Sequence, residues 1–448
     1  MLNPDDAKNI ATSLVERAMK AGATGADAML VAGSSTSVSV RLGELEDVSR
    51  SDDRDIGLRV FNGQRSASVS SADFSNEALD ELVSRAIAMA AEAPDDPFAG
   101  LAPADLLLKG EAPDLDSYDP SDPDPAALRE RALRAEQAAR AVAGVTNSNG
   151  GSAGSLASTI ALATSGGFAG AYRSSGFSCS ASVVAGEGAA MQRDYASHGV
   201  RHLEDLDEPE KIGREAGERA AARVAPAKPE PGRYPVLFDP RVSGSLLGHL
   251  SAAITGSAIA RQTSFLLGRL GERIFAPGVT VRDDPHRLRG SRSRPFDGEG
   301  LPARQMDLIA NGILTTWLTD SAAARQLGII PTGHASRGVG GAPGAAPSNL
   351  ALLPGTRSRE ELLAAFPRAI LVTELIGQGV NGVTGDYSRG AAGFLIEGGE
   401  IVRPLAEITI ASNLLEMFAT LEPGSDLEYR RGIDAPTVLI PEMTVAAG

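Results

Sequence analysis

The chain has almost no cysteine and few aromatic residues. One cysteine, Cys179, occurs among 448 residues, which excludes an intramolecular disulfide and fits a reducing compartment. Aromatic residues make up 4% of the chain, so alanine, valine, leucine and isoleucine must fill the core. Cys179 lies in a strand-like segment with no basic residue or histidine beside it. We therefore predict a small packed side chain rather than a nucleophile at this position.

Basic charge and long apolar runs are also scarce. The net charge of −15 repels a phosphate backbone and argues against nucleic acid as a partner. The one arginine-dense stretch, 282–294, also contains two aspartates and no aromatic residue, so we interpret it as a solvated loop. No apolar run is long enough to cross a bilayer, and the first six residues lack the features of a signal peptide. The sequence thus predicts a cytoplasmic protein with no membrane partner.

The first half of the chain mixes helical and strand-like patterns. Asn3 and Pro4 are typical of the start of a helix, and the helical patterns cover 4–21, 77–92, 126–143 and 211–224. Alternating apolar and polar residues predict strands at 38–42, 55–61, 65–70 and 158–162, with a hairpin at Asn62-Gly63. The proline-rich and acidic stretch 111–125 predicts a long surface loop.

A proline-rich segment, 226–232, is the strongest linker signal in the chain. Beyond it one helix is predicted, at 242–255, among strands at 234–238, 278–281, 306–317, 369–375, 393–401 and 437–440. We therefore predict an α+β protein in two domains. Residues 1–225 form an N-terminal α/β domain with strands and helices, and residues 233–448 form a C-terminal strand-rich domain, barrel- or sandwich-like.

Several sequence blocks follow one another in a recognisable order. The second half contains LGRLGERIFAPGVTV (267–281), DGEGLP (297–302), NGIL (311–314), RQLG (325–328), PTGH (331–334) and NGVTGDYSRGAAGF (381–394). The first half contains VRLGELE (40–46) and GLRV (57–60), which match more loosely. Together these blocks resemble the signature of the TldD/PmbA family. An ordered set of blocks is more specific than any single short motif.

The family contains two kinds of chain. A TldD-like chain has an H-E-x-x-x-H helix and a later cysteine, where the histidines would hold zinc and the glutamate would activate a water. A TldE-like (PmbA-like) chain lacks these residues. Here Gly248 and Ala253 align with the histidines, His249 aligns with the glutamate, and no cysteine follows Cys179. The resemblance implies a TldE-type subunit that binds no metal or other cofactor itself, with zinc in a TldD-like partner.

Other histidines could in principle serve catalysis. His198 and His202 form an H-x-x-x-H pair, but no glutamate lies between them and Gly199 and Val200 disfavour a helix. We interpret the pair as part of a polar loop rather than as zinc ligands. His249 could act as a general base beside a helix serine, but no acidic residue lies near it in sequence to orient the ring. We favour a partly buried, hydrogen-bonded histidine.

The resemblance also points to residues that could border a peptide channel. Thr332 and His334 lie in the protease half of the family. Thr384 and Asp386 lie in a segment that independently predicts a turn, because Gly385 allows a positive φ and aspartate can bond to nearby backbone. These four residues are our predicted substrate channel. The glycine-rich stretch 338–344 lacks the ending of a phosphate-binding loop, so we interpret it as a flexible loop.

These features predict a chain that is inactive alone and forms a cytoplasmic metalloprotease with a TldD-like partner. The resemblance implies substrates that are peptides or unfolded protein segments, including peptide-antibiotic precursors and antitoxins. It also carries the older family label, modulator of DNA gyrase, which we interpret as an indirect effect.

Two alternatives to this function stay open. One is a non-enzymatic, homo-oligomeric peptide-binding or scaffold protein. The other is a metal-independent hydrolase that uses His249 and a serine. The isolated chain could also form a homodimer, since an interface for a similar partner can pair with itself.

Overall fold

The computed structural model describes residues 2–447. Nine α-helices occur within this range: α1 Pro4–Lys20, α2 Asn76–Glu92, α3 Pro125–Arg140, α4 Pro209–Ala222, α5 Pro240–Ala253, α6 Gly256–Ala260, α7 Ser321–Leu327, α8 Arg359–Leu363 and α9 Leu414–Thr420. The strands are β1 Gly25–Arg41, β2 Glu44–Asn62, β3 Arg65–Ser71, β4 Val145–Thr164, β5 Ala169–Ala185, β6 Gln192–Val200, β7 Gly232–Phe238, β8 Val281–Asp283, β9 Met306–Ala310, β10 Ile313–Leu314, β11 Ala335–Ser336, β12 Gly344–Ala345, β13 Leu350–Leu352, β14 Arg368–Ile376, β15 Asp386–Glu397, β16 Glu400–Asn413, β17 Glu422–Pro423, β18 Ile433–Asp434 and β19 Val438–Ala447.

The first half is built on one antiparallel sheet of long strands. Its order is β3-β2-β1-β4-β5-β6, and β1 pairs with β2 on one side and β4 on the other along nearly its whole length. The predicted strands 38–42 and 158–162 are therefore only parts of much longer strands. Their serine- and glycine-rich stretches have weak strand patterns, and they extend because neighbouring strands supply a continuous hydrogen-bond ladder.

Helices α1 to α4 cover one face of this sheet with mostly small side chains. Alternate residues of β1, such as Ala28 and Leu30, pack under α1 and α2, while Cys179 of β5 packs under α3 and α4. Helix α4 approaches α3 closely because Gly213 has no side chain; a Cβ there would lie 2.1 Å from the carbonyl oxygen of Ala135. Cys179 is buried, as predicted, and burial raises the pKa of its thiol to about 11.

The second half contains a closed barrel and a smaller sheet. Strands β16-β15-β14-β7-β19 form a ring that closes through pairing of β16 with β19, and β17 extends β19. The smaller sheet has the order β10-β9-β8-β13-β18. Helix α5 packs between the barrel and this sheet, against β7, β14, β13 and β18. The predicted α+β class and strand-rich second half are confirmed.

Two predicted strands of this half are each divided by a turn. The segment 306–317 forms β9 and β10, because Asn311 and Gly312 both have positive φ values, 49° and 82°. The segment 393–401 spans the end of β15 and the start of β16, with Gly398 and Gly399 in the turn at positive φ. Residues 226–231 of the predicted linker 226–232 lie between α4 and β7, and Gly232 is the first residue of β7.

The two halves meet at the face of the long sheet that the helices leave open. Phe168 of the first half packs edge-to-face on Phe296 of the second, with ring centroids 4.9 Å apart. Beside them, Asp27 forms buried ion pairs with Arg59 and with Arg337 from the second half. The interface therefore contains both apolar and charged buried groups.

Two segments that we expected to be free surface loops belong to this interface. In 282–294, Arg289 pairs with Asp116, Glu204 and Asp205 of the first half, so the stretch is not simply solvated. In 338–344, the carbonyl of Val339 lies directly against Gly57 of β2. The interpretation of this segment as a flexible loop was wrong at this contact. Strands β11 and β12, which flank the segment, pair with each other, and Val339 between them packs against β2.

Within residues 2–447, no helix is both long and apolar enough to cross a membrane.

Candidate functional site

Helix α5 carries the three positions, 248, 249 and 253, that we aligned with the zinc motif on the basis of the sequence resemblance. It begins directly after β7, where the Asp239 side chain accepts a hydrogen bond from the backbone N–H of Arg241 at 3.0 Å and Pro240 takes the first turn. Gly248 and Ala253 lie five residues apart in this regular helix, roughly 140° apart around its axis. They therefore do not share one face.

The surroundings of these positions differ as well. Gly248 faces open space, since a Cβ built there meets no atom within 4 Å. Ala253 is buried in the core of the second half. Neither residue has a side chain that can bind a metal.

His249 is partly buried between α5 and the barrel. Its ring lies edge-on to Tyr387 of β15, with centroids 6.0 Å apart. Burial, with a smaller effect from the Arg389 guanidinium, lowers the pKa of His249 below its ordinary 6.5, which favours the neutral ring at pH 7. The predicted partial burial is confirmed. The predicted hydrogen bond is not seen at Nε2, which is sealed from solvent without a partner in the described part of the chain.

The residues at this place do not fit a zinc ion. Gly248 and Ala253 offer no ligand, so α5 supplies a single imidazole where three protein ligands are needed. No group of three histidine, cysteine, aspartate or glutamate side chains across residues 2–447 is arranged to hold a metal.

The side chains of His198 and His202, the H-x-x-x-H pair, each contact other residues. His198 lies in β6, so its assignment to a loop was wrong, and its Nδ1 accepts a hydrogen bond from the backbone of Asp207 at 3.1 Å. His202 follows the strand, and its Nε2 lies 2.9 Å from the carbonyl oxygen of Asp116. Each imidazole thus contacts its own part of the chain, and the two do not form a joint site.

The predicted channel residues Thr384 and Asp386 lie in a tight exposed turn. The Thr384 hydroxyl donates to Asp386 Oδ2 at 2.7 Å, and Asn413 Nδ2 donates to Asp386 Oδ1 at 3.2 Å. These two hydrogen bonds lower the pKa of Asp386 below its ordinary range. Gly385 has φ +81°, as the sequence predicted for this turn. Tyr387 follows the turn and contacts His249, so the turn adjoins helix α5.

Thr332 and His334 lie in a different, more buried network. The His334 ring is 2% exposed; its Nδ1 is 2.9 Å from the Thr332 hydroxyl and its Nε2 is 3.3 Å from Asp283 Oδ2. The Thr332 hydroxyl oxygen also accepts a hydrogen bond from the backbone N–H of Thr319 at 2.9 Å. The preceding residue, Leu318, accepts a backbone hydrogen bond from Gly256, the first residue of α6. The four predicted residues thus form two pairs, one exposed and one buried. Their role in a channel stays a prediction.

A cavity of about 460 Å³ opens beside α5 at Gly248. Its lining joins the two halves of the chain and includes Thr373, Glu374 and Arg389 of the barrel. Sequence reasoning missed Thr373 and Arg389. Arg389 lies two residues after Tyr387 in the block 381–394, so strand alternation places both on one face of β15 and could have indicated it. Thr373 has no such signal, because it lies at an irregularity in the pairing of β14.

Family models match three consecutive segments of the chain. Residues 26–90 match PmbA/TldA metallopeptidase domain 1, residues 118–224 match the central domain, and residues 231–447 match the C-terminal domain. Among similar sequences, Metalloprotease PmbA of Escherichia coli O157:H7 is 40% identical over 444 residues, covering 98% of this chain and 96% of the relative. A Metalloprotease PmbA homolog of Haemophilus influenzae is 38% identical over 435 residues, covering 96% and 94%.

Solved structures with the same fold include a candidate modulator of DNA gyrase from Bacteroides thetaiotaomicron, with a TM-score of 0.91 and 28% identity over the whole of both chains. TldE from Thermococcus kodakarensis has a TM-score of 0.85 and covers 97% of this chain and 99% of its own; at 22% identity this likeness concerns the fold. The ordered sequence blocks, the three matched domains and the full-length relatives agree. This chain belongs to the TldD/PmbA family.

Proposed function

We propose that this chain is the non-zinc-binding subunit of a TldD/TldE-type metalloprotease that acts on peptides or unfolded protein segments. A TldD-like partner supplies zinc and the catalytic residues. This chain supplies walls and contacts of the substrate channel, including the exposed turn of Thr384 and Asp386 and the network of Thr332 and His334. The complex works in the cytoplasm.

One observation carries this proposal. Helix α5, which the family resemblance aligns with the zinc-binding helix, has glycine, histidine and alanine at positions 248, 249 and 253, where the family motif has histidine, glutamate and histidine. The remaining imidazole, His249, has its Nε2 buried against the barrel rather than presented to solvent. A chain of this kind needs its zinc-bound water from another subunit.

The test is to measure zinc and peptidase activity in three samples: this chain alone, a TldD-like chain from the same organism alone, and the mixture. We expect one zinc per pair and cleavage of an unstructured peptide in the mixture, with neither zinc nor cleavage from this chain alone. Stoichiometric zinc with cleavage by this chain alone would overturn the proposal.

A matched variant separates this proposal from a metal-independent hydrolase. His249→Ala removes the one imidazole of α5, and we expect it to leave the zinc content of the mixture unchanged. If the purified chain cleaves peptide without zinc and loses that activity in His249→Ala, a hydrolase that uses His249 replaces the proposed function. A stable homo-oligomer that binds peptide and gains no activity with any TldD-like chain would instead support the scaffold alternative.

A further inference from the structure

The cavity beside α5 has an excess of positive charge in a chain whose net charge is strongly negative. Four arginines line it, Arg223, Arg241, Arg389 and Arg431, against two carboxylates, Asp194 and Glu374. Both carboxylates are already paired. Arg241 and Arg223 bond to Asp194, and Arg223 also pairs with Glu374. The lining therefore favours an additional anion.

Two arginines of this cavity, Arg389 and Arg431, have no ion pair with a carboxylate among the described residues, and the guanidinium of Arg431 donates to the carbonyl oxygen of Arg241 instead. The guanidinium of Arg389 forms no ion pair among residues 2–447; it interacts with the Tyr387 hydroxyl, and its Nε is buried without an acceptor. A buried guanidinium N–H without an acceptor costs more free energy than an ordinary lost hydrogen bond. The Nε donor of Arg389 therefore has no acceptor that the described chain provides.

A second donor on the same wall is also unpartnered. The Thr373 hydroxyl is buried and has no hydrogen-bond partner in the described chain, and Thr373 lines the cavity together with Arg389. Between them and α5 the cavity stays open, because Gly248 has no side chain and nothing lies within 4 Å of its missing Cβ. The first residues of α5, Pro240 to Val242, also line the cavity, so the positive end of a 14-residue helix faces it.

We propose that this cavity is a carboxylate-binding subsite, in which Arg389 and Thr373 hold a carboxylate group of a bound peptide beside Gly248. A planar guanidinium and a hydroxyl match the two oxygens of a carboxylate. The identity of the ligand as a peptide rests on the proposed function. The subsite itself rests on the unpartnered donors and the charge of the lining. The carboxylate is either the C-terminal group of the peptide or an aspartate or glutamate side chain.

The test is binding of three peptides to the full-length chain by isothermal titration calorimetry: penta-alanine with a free C-terminus, its C-terminal amide, and the amide with one alanine replaced by glutamate. We expect the free acid to bind about 10- to 100-fold more tightly than the amide, as for a charge-assisted hydrogen bond to guanidinium. Recovery of affinity by the glutamate peptide indicates side-chain recognition, and no recovery indicates the C-terminal group. Equal affinity for all three peptides, or no binding, would overturn the subsite.

Variants place the effect in the cavity. Arg389→Gln and Thr373→Val should each weaken binding of the acid, and Arg389→Gln should abolish the difference between acid and amide. Arg403→Gln is the matched control, because Arg403 is exposed on β16 and outside the cavity lining. If Arg389→Gln keeps the full preference for the acid, the assignment is wrong. The comparison of acid and amide on the unchanged chain needs no variant to fold.

The same peptides separate this subsite from the proposed function. Cleavage by the mixture with a TldD-like chain, without any carboxylate preference in binding, would reject the subsite and keep the function. Carboxylate-dependent binding by a chain that never forms an active, zinc-containing mixture would keep the subsite and reject the function.

Discussion

Glu299 is a buried carboxyl group at the interface between the two halves of this chain. Its side chain is only 3% exposed, and its Oε2 accepts hydrogen bonds from both the backbone N–H and the hydroxyl of Ser321. Its Oε1 lies 3.9 Å from Arg59, which is already bonded to Asp27. Burial is the largest influence on this carboxyl and raises its pKa from an ordinary 4.5 to about 7.

Glu299 should therefore make stability depend on pH in the neutral range. Because its pKa is raised on folding, the native state holds this proton more tightly than the unfolded chain. The protonated Glu299 therefore stabilises the native state fully below pH 4.5, and this stabilisation is lost as pH rises through about 7. The free energy of unfolding should fall by about 3 kcal/mol over this range. We expect Glu299→Gln, which keeps an acceptor for Ser321 but cannot ionise, to lack this slope in urea unfolding at pH 5 and pH 8. Parallel pH profiles for both proteins would contradict the prediction.

Gly57 is required by contact rather than by backbone conformation. A Cβ at this position would lie 1.7 Å from the carbonyl oxygen of Val339, which belongs to the second half. Gly57→Ala should displace the loop that carries Val339 and lower the free energy of unfolding by about 1–3 kcal/mol, measured by chemical denaturation. Gly341→Ala is the control, because nothing lies within 4 Å of its added Cβ. Equal stabilities for the two variants would show that the loop moves freely.

At the level of secondary-structure elements, Asn413 connects the start of α9 with the turn that contains Thr384 and Asp386. Asn413 ends β16 and caps α9, accepting from the backbone N–H of Leu415 at 3.0 Å. Its Nδ2 donates to Thr384 O at 3.0 Å and to Asp386. The helix start and the turn are therefore coupled through a single amide side chain.

Two substitutions should separate these functions of Asn413. Asn413→Ala removes both, and loss of the cap costs about 1 kcal/mol. Asn413→Asp keeps the cap acceptor but loses the donor and places a negative charge beside Asp386. We expect faster hydrogen exchange at 381–386 in both variants, and faster exchange at the start of α9 in Asn413→Ala alone. Unchanged exchange in the turn would mean that its own Thr384–Asp386 hydrogen bond is sufficient.

For the molecule as a whole, the single cysteine reports on opening of the first half. Cys179 is 1% exposed beneath α3 and α4, and its pKa of about 11 lies well above the ordinary 9.0. Its thiol should react with a disulfide reagent at pH 8 at least about 100-fold more slowly in the native chain than in urea, because thiolate fraction and access are both reduced. Cys179→Ser gives the background signal. Rapid stoichiometric reaction of the native chain would mean that the helices leave the sheet readily.

The sequence alone was sufficient where local chemistry specifies structure. Helix α1 begins at the predicted Pro4 after Asn3, since capping and proline preferences act within a few residues. The turn at Gly385 and the packed Cys179 followed from equally local patterns. Family membership was also predictable from the sequence, because ordered blocks such as 381–394 are contiguous runs of residues that need no tertiary structure to be recognised.

Tertiary structure decided what depends on residues far apart in the chain. The long strands β1 and β4 extend through serine and glycine because each has a neighbour on both sides, which no local pattern records. The cavity beside α5 combines Asp194, Gly248, Thr373, Arg389 and Arg431, drawn from nearly 240 residues of sequence. The excess of positive charge and the unpartnered hydrogen-bond donors become visible only when these distant residues are brought together around the cavity. Local preferences fix which segments are helices and strands, whereas burial and pairing between distant segments fix which side chains can act together.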